Sequence, residues 1–328
     1  MSFPTAGLRL IARIFTILAA TLFLPPAMAA EWPAGVVTII NPYEPGGAVD
    51  IVARELARGL SEELGNDFIV ENRGGAGGTI GAAKLAHAKP DGYTLMVHNL
   101  GLAISASLYD KLPYDSVRDL TPVAYLGTSS NVLIVNPAVA AKSVDDLLAL
   151  AKAHPGAMNY GSAGVGSSSQ IAMALFASTA GVKMAHIPYK GSGPAMIGLV
   201  SGQTQVMLQT TPAAIPLINS GQVRAIATSG THRSPALPTV PTIAEAGLQG
   251  FEFAPWFGLF APAQTPPAIL DRLHRAVGKV LKDPALVARF AQLDLVVGPM
   301  SRAEFAKLYD DDVAKWAGTM KTLGMQPQ

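Results

Sequence analysis

Twice in this chain a short apolar run is followed at once by a glycine-rich loop and then by a helical pattern. That strand–loop–helix order restricts the fold more than any other feature of the sequence. The first unit is the apolar run 36–40 followed by Pro42-Tyr43-Glu44-Pro45-Gly46-Gly47-Ala48-Val49-Asp50. The second is Met158-Asn159-Tyr160 followed by Gly161-Ser162-Ala163-Gly164-Val165-Gly166-Ser167-Ser168-Ser169. Such a unit aims unpaired backbone N–H groups, and the positive end of a helix dipole, at one spot. Two units facing each other make a cleft for an anion.

The remaining pattern supplies the scaffold for that cleft. Residues 36–40, 68–71 and 94–97 read as strands, with helices over 49–64 and 79–88 between them. This βαβαβ order predicts an α/β fold with mostly parallel sheets and right-handed crossovers. A second run starts near Asn131, with strands at 132–135, 158–160, 184–187, 205–208 and 223–227. Helices at 143–154, 170–179, 194–200 and 213–218 alternate with them. The first of these helices opens on Ser143-Val144-Asp145-Asp146, which resembles a capping box, and Thr242-Ile243-Ala244-Glu245 starts a short helix by the same logic. The last third reads as one strand, 253–260, and three helices, 266–281, 284–293 and 302–323. Thr265 before Pro266, and Ser301 with Glu304, act as N-terminal signals. One strand with helices is too little for a third domain, so this part returns to the first. The expected organisation is a discontinuous lobe, 30–130 with 253–328, and an inserted lobe, 131–252, joined by two crossings that make a hinge.

Residues 1–29 read as a signal peptide. Arg9 and Arg13 form a basic start, residues 14–24 an apolar stretch too short to span a bilayer, and Ala27-Met28-Ala29 a cleavage site. The mature chain is expected in the periplasm, cut near Ala29. The 328 residues contain no Cys, which excludes disulfides and thiolate chemistry. Loss of Arg9 and Arg13 takes the formal charge of +1 to −1, so no basic face for nucleic acid is expected. The six His residues show no metal-ligand spacing, no cofactor fingerprint is complete, and no metal or cofactor is expected. Asp310-Asp311-Asp312 reads as solvated charge on a helix.

The residues that do carry chemistry are polar groups at strand ends. The second glycine loop offers the hydroxyls of Ser162, Ser167, Ser168 and Ser169 beside glycine N–H groups, a nest suited to a carboxylate. Pro188-Tyr189-Lys190-Gly191-Ser192-Gly193 is a third loop of this kind, in which Lys190 brings a positive charge. Gln209-Thr210-Thr211 ends a strand where α/β sheets bind ligands. Asp50 and Arg54, four apart on the first helix, form a pair that fixes the loop.

The ordered set of motifs resembles a known family. Pro45-Gly46-Gly47 with Asp50-x-x-Ala53-Arg54, Glu71-Asn72-Arg73-x-Gly75-Ala76-Gly77-Gly78 and Pro90-Asp91-Gly92-Tyr93-Thr94-Leu95 open it. Leu112-Pro113-Tyr114-Asp115, Tyr160-Gly161-Ser162 with Gly164 and Gly166, and Pro188-Tyr189-Lys190-Gly191 continue it. Arg233-Ser234-Pro235-Ala236-Leu237-Pro238 and Pro241-Thr242-Ile243-Ala244-Glu245 close it. The set is similar to the Bug-type extracytoplasmic solute receptors, the substrate-binding components of tripartite tricarboxylate transporters. The resemblance implies a two-lobed periplasmic binding protein of the type II, Venus-flytrap kind, with the ligand cleft between its lobes. It implies a small carboxylate ligand, with two or three carboxylates, and two integral membrane transporter subunits as partners; the apolar and aromatic residues Tyr43, Leu100 and Trp256 would suit an aromatic carboxylate if they lie near the cleft, and a monomer is expected. The residues it implicates are Tyr43, Gly46 and Gly47, then Ser162, Gly166, Ser167 and Ser168, then Tyr189, Lys190 and Gly191. Many relatives have Asp where this chain has Gln209, and often His where it has Gln170.

Two other readings stand beside the receptor. One is an exported serine hydrolase of small esters with Ser162 or Ser167 as nucleophile, although neither sits in a Gly-x-Ser-x-Gly elbow. The other is a ligand-sensing accessory protein for a membrane signalling partner.

Overall fold

The computed structural model describes residues 32–109 and 111–325. The expected signal peptide and its cleavage site lie outside the described residues. From Gly35 onward the chain forms one unit, built on two sheets.

The chain runs β1 (Val37–Asn41), α1 (Ala48–Leu64), β2 (Phe68–Asn72), a 3₁₀ turn (Ala76–Gly78), α2 (Thr79–Ala86), β3 (Thr94–Asn99), α3 (Gly101–Ser105) and β4 (Leu120–Ser129). It continues with β5 (Asn131–Val135), α4 (Val144–Ala153), β6 (Asn159–Ser162), α5 (Ser168–Thr179), β7 (Ala185–Pro188), α6 (Ser192–Val200), β8 (Val206–Thr210), α7 (Thr211–Asn219) and β9 (Arg224–Thr228). It ends with β10 (Trp256–Pro262), α8 (Pro267–Val280), α9 (Pro284–Gln292), β11 (Leu295–Val296) and α10 (Arg302–Thr322).

The first sheet has the order β11-β4-β10-β3-β1-β2 and the second β7-β6-β8-β5-β9. β1 pairs in parallel with β2 and β3, and β6 in parallel with β7 and β8. These βαβ units place the loops after β1 and β6 at strand C-termini, where the ligand-facing groups of α/β sheets gather. The strands that follow each change of sheet, β10 and β5, pair antiparallel with their neighbours on both sides. Chain passes between the sheets at Ser130 and again over residues 229–255.

Apolar faces drive this assembly. α1 buries Val49, Val52, Ala53, Leu56 and Leu60 along one side. Between β10 and α10 lies an aromatic cluster of Trp256, Phe260, Phe305 and Tyr309, all buried, with ring centroids 5.3–6.1 Å apart. Trp256 is therefore part of the core. The capping boxes at Ser143/Asp146 and Ser301/Glu304 are both formed.

Some expectations change. β4 escapes sequence reading because Pro122 and Gly127 interrupt its alternation. Both sit at irregular register against β10, where a strand tolerates a missing N–H or a kink. Thr242 and Glu245 make both reciprocal cap bonds, yet only turns follow, because Gly247 at φ +105 breaks the run within a few residues. Asp310 and Asp311 are exposed, but Asp312 is buried and accepts a hydrogen bond from Trp256 Nε1 at 2.7 Å, and burial raises its pKa.

Candidate functional site

The N-termini of four helices converge on one small cavity. Gly47, Ala48, Val49 and Asp50 come from the start of α1, Ser167 and Ser168 from α5, Ser192 from α6, and Gln209 and Thr210 from the entry to α7. Tyr43, Asn99 and Ala163 complete the wall. The first N–H groups of each helix have no carbonyl partner within it, and the dipoles sum at the convergence point. The N-cap residues of α1, α6 and α7 provide no side-chain cap. Among the described residues no Lys, Arg or His lines the cavity. The one carboxylate there, Asp50, already accepts from Arg54 Nε at 2.9 Å and from the Gly46 N–H at 3.1 Å. The free volume is about 20 Å³, room for about one water.

Residues from the two sheets meet directly around the cavity. Asn99 Nδ2 donates to Ser168 Oγ at 3.0 Å, the Glu44 N–H to the Lys190 carbonyl at 3.1 Å, and the Tyr109 hydroxyl to the Val165 carbonyl at 3.0 Å. Glycine makes this approach possible at two points. A Cβ on Gly77 would stand 1.9 Å from the Val165 carbonyl oxygen, and one on Gly47 would stand 3.1 Å from Ser192 Cβ.

Hydrogen bonds fix the orientation of several polar side chains in the wall. Ser167 caps α5, accepting from the Gln170 N–H at 3.4 Å and donating to the Gly164 carbonyl at 2.6 Å. The Gln209 oxygen accepts from the Thr210 N–H at 3.2 Å and the Ser192 hydroxyl at 3.3 Å. That fixes its amide so that Nε2 meets only the Met196 sulfur, at 3.6 Å, a weak acceptor. Tyr43 donates to the Gly77 carbonyl at 3.1 Å and packs edge-on against His98, and burial raises its pKa. His98 is buried and accepts at Nδ1 from the Asn99 N–H at 2.8 Å; burial lowers its pKa to about 4.

Behind the wall lies a second network. Ser162 Oγ is 2.6 Å from His186 Nε2, and His186 Nδ1 is 3.2 Å from Gln170 Nε2. The Gln170 oxygen accepts from the Gly166 N–H at 2.7 Å, so the amide nitrogen must be the end that faces His186. Nδ1 is then an acceptor, Nε2 carries the proton, and His186 donates to Ser162. Burial lowers the His186 pKa to about 4, and Tyr160 stacks on the ring with centroids 4.9 Å apart.

Of the residues singled out from sequence, the cavity brings together Tyr43, Gly47, Ser167, Ser168 and Gln209. Gly46 lies beside it with its N–H on Asp50. Gly191 is the N-cap of α6, while Ser162 and Gly166 belong to the network behind. Tyr189 donates to Gln203 and, with the exposed Lys190, lines a separate open groove of about 800 Å³. Sequence reading missed Asn99, although it ends β3 and so occupies the same kind of strand terminus as Gln209.

Comparison with known proteins decides the family. Residues 52–325 match the family model described as tripartite tricarboxylate transporter family receptor. The chain belongs to this receptor family. Protein BugT of Bordetella pertussis is 36% identical over 318 residues, covering 96% of this chain and 98% of that protein. The R. palustris protein Rpa4515, solved with adipate, has a TM-score of 0.88 at 33% identity, covering 91% of this chain and all of that one. MatC of Rhodopseudomonas palustris, solved with bound malate, has a TM-score of 0.84 at 34% identity, covering 88% and 99%. The fold is thus the two-lobed one of periplasmic binding proteins, with the cleft between its lobes.

Proposed function

We propose that this chain is a periplasmic receptor that captures a small dicarboxylate in the four-helix cavity and delivers it to the membrane subunits of a tripartite tricarboxylate transporter. The convergence of helix N-termini without a lining cation carries this reading. It suits an anion recognised by oriented N–H groups and hydroxyls more than by a counter-ion. The adipate and malate of the two solved relatives support the same ligand class.

The Gln209 amide narrows the class further. Its oxygen is engaged and its N–H groups meet nothing stronger than the Met196 sulfur, so the ligand presents a second carboxylate, hydroxyl or keto oxygen at that end. An ammonium there would face a donor. The cavity as it stands has room for only about one water, so the two sides part to admit the ligand and then close on it with the wall spread wider than in the empty cavity. We place the two lobes at 30–130 with 253–328 and at 131–252, moving about the crossings near Ser130 and residues 229–255.

The hydrolase reading finds no support in the Ser162–His186 pair. A general base must accept the serine proton, whereas His186 donates to Ser162. A thermal-shift panel of the mature protein, unfolded and refolded to strip bound ligand, tests the receptor reading. A ligand at 100 times its Kd adds about 2.7 kcal/mol, a shift of several degrees for a chain of this size. A response confined to dicarboxylates is expected. A response to amines or sugars alone, or turnover of simple esters, would overturn the reading.

A further inference from the structure

Asp294 stands in the short link between α9 and β11, with its backbone in the left-handed region at φ +61. Non-glycine residues adopt that conformation rarely, and an observed case at a buried position points to a constraint imposed by the surroundings. The side chain is buried, and its partners among the described residues are hydroxyls and not cations. Oδ2 accepts from Ser130 Oγ at 2.6 Å and Oδ1 from Ser234 Oγ at 2.5 Å.

The two serines lie on the two passages between the sheets. Ser130 is the single residue between β4 and β5, and Ser234 lies on the segment that returns from β9 toward β10. These passages are already stitched side by side. The Asn131 N–H donates to Ser229 Oγ at 2.8 Å, the Ser229 N–H to the Asn131 carbonyl at 2.7 Å, and the Ser129 N–H to the Pro255 carbonyl at 3.2 Å. Asp294 adds a third passage of chain, itself anchored through the pairs Leu295–Ser129 and Val296–Thr128.

Ser130 also reaches the cavity. Its carbonyl accepts from the Thr211 N–H at 3.0 Å and from Thr211 Oγ1 at 2.9 Å. Thr211 opens α7 directly after Gln209 and Thr210, which line the cavity. A continuous path of hydrogen bonds and one peptide link therefore joins the Asp294 carboxylate to the ligand-facing end of α7.

From this geometry we infer that Asp294 is a positioning residue of the hinge: it fastens both crossings to the C-terminal segment and so sets how far the cleft opens. The inference rests on the reading that the cleft opens about these crossings. A carboxylate suits the task because each oxygen takes one hydroxyl, whereas an amide offers only one accepting oxygen. Ionised acceptors also bind hydroxyls at the short distances seen here.

The test measures opening directly, without a ligand. The chain contains no Cys, so Ile80→Cys and Ile197→Cys, at positions 52% and 71% exposed, accept spin labels on α2 and α6. Interspin distances are then recorded in the mature protein, in Asp294→Gly and in Ser234→Ala. Glycine keeps the left-handed backbone and removes the carboxylate, while Ser234→Ala leaves Asp294 in place and removes one bond. The expected result is a longer and broader distance distribution in both variants. A calorimetric titration with adipate should give an affinity lower by about tenfold in each. Distance distributions identical to the parent in both folded variants would overturn the inference. If Asp294→Gly fails to fold, Ser234→Ala decides alone, by the same two outcomes. Failure of adipate to bind the parent counts against the proposed ligand class and leaves the distance measurement intact.

Discussion

Replacing Gly77 by Ala tests whether direct contact between the two sides of the cleft governs affinity. The added Cβ would lie 1.9 Å from the Val165 carbonyl oxygen, where ordinary contact begins near 3.4 Å. The sides must therefore part locally by about 1.5 Å. A displacement of that size takes the Asn99–Ser168, Glu44–Lys190 and Tyr109–Val165 bonds, now 3.0–3.1 Å, beyond hydrogen-bonding range. At about 1 kcal/mol each, the closed form loses about 3 kcal/mol, or about two orders of magnitude in affinity. Gly77 also sits at φ +62, so alanine there adds about 1 kcal/mol of backbone strain unrelated to closure. Gly156→Ala isolates that second effect: its φ is +79, and nothing lies within 4 Å of the added Cβ. Calorimetric titration with adipate, alongside thermal unfolding, compares the two variants. Both should lose similar stability, and only Gly77→Ala should lose affinity. Equal affinities in the two variants would show that contact across the cleft does not govern binding.

Gln209→Glu places a buried negative charge where a ligand carboxylate is expected, and should lower dicarboxylate affinity by about 100-fold or more in the same titration. Ser167→Ala removes the cap of α5 and should cost about 1 kcal/mol, read as a melting point lower by about 2–4 °C. Buried His98 and half-buried His186 have pKa values lowered to about 4. The unfolded chain takes up protons below about pH 6.5, before the folded one does, so stability falls as pH drops from about 6.5 to 4. His98 contributes about 3 kcal/mol to that fall and His186 less, because it is more exposed. Urea unfolding at a series of pH values checks this, and His98→Gln should flatten the curve.

The alternation of strands and helices was readable because each βαβ unit carries its own local pattern, and so were the glycine loops after β1 and β6. β4 was hidden because Pro122 and Gly127 break its alternation, and only its pairing with β10 makes those residues acceptable. Within the site, Gln209 and the serines of the α5 cap were legible as polar groups at strand ends. Their orientation was not. Whether Gln209 offers a donor or an acceptor depends on Thr210 and Ser192, and the polarity of the Ser162–His186 pair depends on Gln170 and Gly166. Asp294 gave no local signal at all, because its partners, Ser130 and Ser234, lie 164 and 60 residues away.

A ligand carboxylate resting on backbone N–H groups at the starts of α1 and α5 would perturb those amides first. Amide proton shifts of the ¹⁵N-labelled mature protein, titrated with adipate and then with its uncharged diamide, test that placement most directly. Large downfield shifts are expected at Ala48, Val49, Ser168 and Ser169 with the dicarboxylate and none with the diamide. Binding of adipate with those four amides unmoved, or equal shifts with the diamide, would contradict that placement.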